Sequence, residues 1–286
     1  MKLLQIEYKK IVGNKSFKVF SIMFLVFLPM LVILVPGLIG DDFNGIEFYP
    51  LVPNNYETTW YAVSIISSWF SFFLLSFVLI YHITNEYNYR TVRQNVIDGY
   101  TRNEYILGKV YLMLAITAIA TIYVFIVGLI GGLYFSSFEP KDPNFIQQMF
   151  NLGEEVEIQE TGFGNMFDGV SNVFRFFIQV LANFAFAFFV AFLAKRGILA
   201  ILIYYAAYIG ELIIGTQLKA NNAAVIYDYM PLNVFSQILP FPNFKTLLAG
   251  ISSPTSIDWV TVIVALFFSA LFIYFARMLF FKRDIT

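Results

Sequence analysis

The sequence predicts an all-α, polytopic membrane protein: six transmembrane helices, an amino-terminal interfacial helix and a short crosswise helix at the cytoplasmic face. Three observations carry this reading. Of 286 residues, 59% are hydrophobic and only 13% are charged, where a soluble domain carries about 25% charge. Six long uncharged stretches punctuate the chain. Lysine and arginine fall mostly on alternate sides of those stretches.

The stretches run Val19–Gly40, Thr58–Asn85, Val110–Phe138, Phe176–Ala194, Gly197–Leu218 and Trp259–Ala276, the fifth interrupted once by Glu211. A helix needs about 20 apolar residues to cross a hydrocarbon core of about 30 Å. Helices satisfy their own backbone hydrogen bonds, so six spanning helices are the expected architecture. With the amino terminus inside, the basic residues on the cytoplasmic side are Lys2, Lys9, Lys10, Lys15, Lys18, Arg90, Arg93, Arg102, Lys109, Lys195, Arg196, Arg277, Lys282 and Arg283. Only Lys141, Arg175, Lys219 and Lys245 fall outside. This asymmetry places both termini in the cytoplasm. Trp60 and Trp259 then fall at the outer boundary, and Trp69 lies deeper as a packing residue.

Composition excludes several chemistries. Cysteine is absent, so thiol catalysis, thiolate metal sites and disulfides are excluded. His82 is the single histidine, so no two-histidine zinc motif exists. A net charge of −1 gives no basic field for nucleic acid.

The chain reads as one transmembrane domain over 1–286. Residues 1–16 form the interfacial helix: Leu3, Leu4, Tyr8, Ile11 and Val12 share one face, Lys2 and Lys9 oppose them, and Ile6 breaks the pattern. The first apolar stretch is too long for a cleaved signal and reads as a retained anchor; Pro29 and Pro36 bend it toward its outer end. Residues 137–170 form an external loop, acidic through Glu154, Glu155, Glu157 and Glu160. Residues 219–256 form an external, apolar, proline-punctuated segment, in which Pro231–Leu239 suits a short helix with proline in its first turn. Such a segment fits a partly re-entrant element buried against protein. His82 reads as interfacial. Glu211, a carboxylate inside the fifth span, is a candidate for a substrate path or an interhelical hydrogen bond, because a charge there must face protein or water. Gly128-x-x-x-Gly132 and Ala187-x-x-x-Ala191 permit close helix approach.

The cytoplasmic loop over 86–108 carries the most information. Thr91 with Gln94 forms a capping box that opens a short helix, and Asp98-Gly99 stops it. Thr101 with Glu104 is a second box, opening the helix of the third span. Val96, Ile97 and Tyr100 are apolar groups at a wet site, which suggests a docking surface. Arg90, Arg93 and Arg102 suit pairing with a partner's acidic groups, with Glu86 and Asp98, or with anionic lipid headgroups.

This loop resembles that of the permease subunits of type-2 ABC exporters. Glu86 ends the second span, Arg-Thr-Val-Arg follows, and after a turn come Thr-Arg and the Gly108-Lys109 pair. Glu86, Thr91, Arg93, Arg102, Gly108 and Lys109 are the matching positions. The long acidic loop after the third span departs from the simplest members. The resemblance implies a permease domain whose loop is a coupling helix seated in an ATP-binding subunit, with Glu86, Arg90, Thr91, Arg93, Val96, Ile97, Arg102 and Lys109 as coupling residues. It implies an amino-terminal connecting helix and a minor contact at Lys195-Arg196. It also implies a second permease copy or homologue, and a bacterial inner membrane as location. ATP and magnesium would bind the partner ATPase, because no G-x-x-x-x-G-K-[ST] phosphate loop is present here. The apolar, aromatic composition of the spans suits a lipid-like or amphipathic cargo. An intramembrane enzyme is disfavoured, since no nucleophile–base pair can be assembled; a secondary transporter is disfavoured, since no inverted repeat is seen. A membrane anchor or sensor that recruits an ATPase without transport stays open.

Overall fold

A computed structural model describes residues 2–34, 56–89, 91–92, 100–136, 164–239 and 258–282. All regular structure among them is helical. Helix α1 (Lys2–Gly13) is followed, after Asn14, by α2 (Lys15–Pro29), which ends in a π turn over Met30–Leu34. Helices α3 (Tyr56–Phe70) and α4 (Ser76–Asn88) are joined by a π turn over Ser71–Leu75. Then come α5 (Arg102–Ser136), α6 (Gly164–Ala194), α7 (Gly197–Ala220), the short α8 (Ala224–Asp228) and α9 (Pro231–Ile238), and α10 (Trp259–Lys282). Six helical segments are long and apolar enough to cross a membrane: Lys15–Ile33, Ala62–Asn88, Arg102–Tyr134, Gly169–Ala194, Gly197–Ala220 and Trp259–Lys282. The protein is thus an all-α, multi-pass membrane protein.

Helix α6 is the centre of the bundle, packing on α10, α4, α3, α5 and α7. It and the α3–α4 span are the most enclosed; α2, α7 and α10 leave most of their surface outside. Phe184, Phe188 and Phe192 are buried within the bundle, as are Ala187 and Ala191, whose small side chains admit neighbouring helices. Helix α6 begins at Gly164, inside the stretch assigned by sequence to the external loop. Arg175 does not interrupt it, being buried with its guanidinium donating to Asn172 Oδ1 at 3.3 Å. Loop residues 137–163 and segment residues 240–257 lie outside the described residues.

Trp60, read as lying at the outer boundary, stands two residues before the second span and is enclosed by neighbouring helices. It is 1% exposed and packs in protein. A Cβ added at Gly128 or Gly169 would overlap its indole, so a glycine on α5 and another on α6 make room for the ring. Trp259, by contrast, is 60% exposed at the start of α10.

Hydroxyl groups inside the bundle turn to helix carbonyls one turn back: Ser64 to Trp60, Ser67 to Val63, Thr84 to Ile80 and Thr117 to Met113. That leaves few polar groups requiring water. Gln179 does more. Its amide oxygen accepts from Ser68 at 2.6 Å, and its nitrogen donates to the carbonyls of Phe235 and Leu239 at 3.0 and 2.9 Å. One side chain on α6 thereby holds α3 and the end of α9. Helix α9 has proline at its first position and buries Leu232, Val234, Phe235 and Ile238 against α10 and α6.

Candidate functional site

Two regions hold the polar groups singled out by the sequence. The first lies where α1 meets the end of α4 and the start of α5. The reciprocal capping box of Thr101 and Glu104 is formed: Glu104 Oε2 accepts from the Thr101 N–H and hydroxyl at 2.8 Å each, and the Glu104 N–H donates to Thr101 Oγ1 at 3.2 Å. This starts α5 well before its uncharged stretch. Lys109 is therefore carried inside the helix, on a face turned to protein, and is 0% exposed.

A fully buried ammonium is costly unless paired and hydrogen-bonded. Lys109 Nζ lies 2.7 Å from Glu86 Oε1, donates to Glu7 Oε2, and lies 3.2 Å from His82 Nε2. Glu86 stands one turn after His82 on α4; its other oxygen accepts from the Tyr105 hydroxyl at 2.7 Å. His82 Nε2 also lies 3.3 Å from Glu7 Oε2. Lys10 completes the group, 3.4 Å from both Glu7 Oε1 and Glu86 Oε1. Two carboxylates, two ammonium groups, an imidazole and a phenol are thus joined across three helices. The Tyr105 ring stacks on Phe280 of α10 at 5.1 Å, which extends the contact to a fourth.

Glu7 sits outside the spanning segments. Burial pushes its carboxyl up, but the hydrogen bond from His82 and the charges of Lys109 and Lys10 outweigh this and lower its pKa from 4.5 to about 2. Ligand atoms of Glu7, His82 and Glu86 lie within 4.8 Å of one another, a spacing able to hold a metal ion. The Lys109 ammonium sits among all three, so the chain supplies its own cation there.

The coupling residues named from sequence divide accordingly. Glu86 and Lys109 are brought together. Thr91 is close, its hydroxyl donating to the Glu86 carbonyl at 3.2 Å. Arg102 is apart, donating to the Phe281 carbonyl at 3.0 Å, where it caps the end of α10; Arg277 returns the contact to Asn103 at 3.1 Å. Arg90, Arg93, Val96 and Ile97 lie outside the described residues. Sequence reasoning missed Glu7, Lys10 and Tyr105 as members of the cluster, and placed His82 at the inner end of the second span without showing that it is buried among them. A signal existed: a lysine on the apolar side of a helix needs an acidic partner, and Glu7 is the one carboxylate in a basic amphipathic helix. Among the described side chains of α1, Glu7 and Ile11 are buried in protein and Tyr8 is exposed. Ile11 packs with Val78 of α4 and Leu112 of α5.

The second region surrounds Glu211. Its side chain reaches the first turn of α9, where Oε1 accepts from the Asn233 N–H at 2.6 Å. A carboxylate at a helix start satisfies backbone donors that otherwise lack partners and matches the helix dipole. The same residue lines a cavity of about 340 Å³ between α7, α8, α9 and the π turn, walled by Phe72, Phe73, Tyr205, Tyr208 and Tyr227. The π turn presents Phe72 and Phe73 from adjacent positions; such turns interrupt helices frequently at functional sites.

The family model described as "Protein of unknown function (DUF2705)" matches residues 30–286. No curated protein matches the chain, and no solved structure does.

Proposed function

The chain belongs to the DUF2705 family of proteins of unknown function, and we propose that it is the membrane-spanning permease subunit of an ATP-driven type-2 ABC exporter. In this reading ATP and magnesium bind a separate ATP-binding subunit, and this chain is not itself an enzyme. A second permease copy or homologue completes the channel. The protein resides in a bacterial inner membrane with both termini in the cytoplasm.

One observation carries the reading. Glu86 and Lys109, which close the two ends of the motif-bearing loop, are ion-paired at 2.7 Å, and each reaches α1: Lys109 donates to Glu7, and Glu86 Oε1 lies 3.4 Å from Lys10 Nζ. A soluble subunit pressing on the loop would act at once on the second span, the third span and the amino-terminal helix. Buried ion pairs are weak sources of stability but hold a defined register, which is what force transmission requires. The contacts of Arg102 and Arg277 extend the linkage to the sixth span.

The test is replacement of Val96 and Ile97 with aspartate (Val96→Asp, Ile97→Asp). The doubly substituted chain is expected to insert normally, to lose co-purification with its ATP-binding subunit, and to lose stimulation of ATP hydrolysis. Unchanged co-purification and stimulation would refute the assignment.

A further inference from the structure

We propose that the cavity beside Glu211 binds a small amphipathic organic cation, its apolar body among the aromatic rings and its protonated nitrogen against the carboxylate. The proposal rests on the exporter reading, whose substrate class it names.

The cavity's volume of about 340 Å³ falls within the range of small-molecule sites. Its walls are rings. Phe72 meets Tyr208 edge-on at 4.7 Å and Tyr205 at 5.2 Å, and Phe73 stacks on Tyr205 at 5.7 Å. Phe73 is 46% exposed, so a ring face is open to an incoming molecule. Tyr227 is held flat against α7 because position 215 is glycine; a Cβ there would overlap the tyrosine ring.

Polar chemistry at the wall selects the sign of the ligand. The Tyr205 hydroxyl donates to the Phe73 carbonyl at 3.0 Å, Tyr208 to Asn183 at 2.5 Å, and Ser236 to the Asn233 carbonyl at 2.7 Å. Asn233 donates its side-chain amide to the Tyr227 carbonyl at 3.0 Å and its backbone N–H to Glu211. Apart from the Tyr227 hydroxyl and the second Asn233 amide proton, the polar protons of these side chains are committed to protein acceptors. Acceptor capacity is what remains. A carboxylate offers about four lone-pair positions, and the Glu211 carboxylate, in a residue 8% exposed, meets the N–H groups of Asn233 and Leu232. No lysine or arginine is among the described residues lining the cavity. An anionic headgroup would find a carboxylate and ring faces, both repulsive to it. A protonated amine would find a carboxylate and electron-rich rings, both attractive. The Tyr227 ring already shows the affinity: Lys219 Nζ lies 4.9 Å from its centroid.

The test uses the full chain in nanodiscs of neutral phosphatidylcholine, titrated with three fluorescent probes: ethidium (cationic), N-phenyl-1-naphthylamine (neutral) and 1-anilinonaphthalene-8-sulfonate (anionic). Ethidium is expected to bind saturably and the anionic probe not to do so. Glu211→Gln keeps an acceptor for the Asn233 N–H while removing the charge; it is expected to weaken ethidium at least about tenfold, the loss of one charge-assisted contact, while the neutral probe stays within about twofold. Phe73→Leu, at a half-exposed position, and Gly215→Ala, which displaces Tyr227, are expected to weaken ethidium and the neutral probe alike. Ethidium binding unchanged in Glu211→Gln, or an anionic probe bound as tightly as ethidium, would overturn the proposal. Binding to the chain alone needs no ATPase, so this result stands or falls separately from the search for an ATP-binding partner.

Discussion

Lys109 is the residue on which the architecture of the basic end turns. Its burial is supported by Glu7, Glu86 and His82, and removing it would leave two buried carboxylates sharing only the partly exposed Lys10 as a cation. Lys109→Met is expected to destabilise the protein by about 3–5 kcal/mol, the usual result of breaking a buried pair. Adding Glu7→Gln is expected to recover part of that loss, with a coupling energy of about 0.5–3 kcal/mol. Unfolding curves of the four proteins in detergent measure it. Glu7 also sets a pH dependence. Its pKa is lowered from 4.5 to about 2, so its contribution to docking α1 is full above 4.5 and is lost as pH falls toward 2. A fluorophore at Lys9→Cys, an exposed position, is expected to report docked α1 from pH 7 to 4.5 and its progressive release as pH falls from 4.5 toward 2. In Glu7→Gln that transition should be absent.

At the scale of elements, interruptions of helices are compensated by neighbours. Pro29 lacks the N–H that would bond the Leu25 carbonyl. The Tyr123 hydroxyl from α5 supplies the missing donor at 2.5 Å. Tyr123→Phe is therefore expected to cost about 1 kcal/mol. In a Pro29→Ala background, where the helix ladder is restored, the same change should cost nearly nothing. Thermal unfolding of the four combinations distinguishes these outcomes. Elements were legible in the sequence where a local rule governs them. Uncharged stretches marked all six spans, the Thr101–Glu104 box opened α5, and Pro231 began α9. Their limits were less legible, because a charge does not end a helix that protein encloses. Arg175 and Lys109 both lie inside helices that start ahead of the apolar stretches. Gly169 likewise read as a loop residue, yet it is helical and makes room for Trp60. Such packing partners are distant in sequence, and no periodicity reveals them.

For the whole molecule, the same limit explains the candidate site. Glu86 and Lys109 were visible through a motif, but the motif did not show that they meet each other or that Glu7 and Lys10 of α1 join them. Tertiary folding brings together residues separated by a hundred positions. What results is a bundle whose basic end is tied through α1, α4, α5 and α10, and whose middle holds an aromatic cavity beside a carboxylate. The proposed function connects the two: movement imposed on the loop between α4 and α5 would alter the spans that wall the cavity. The absence of cysteine allows a direct test, since Val96→Cys introduces a unique thiol. Bifunctional cross-linking from that thiol in native membranes, followed by identification of the captured chain, is expected to yield a subunit carrying a phosphate loop, with a yield that changes on adding ATP. A thiol that reacts fully with a water-soluble reagent and captures no ATP-hydrolysing subunit would contradict the account.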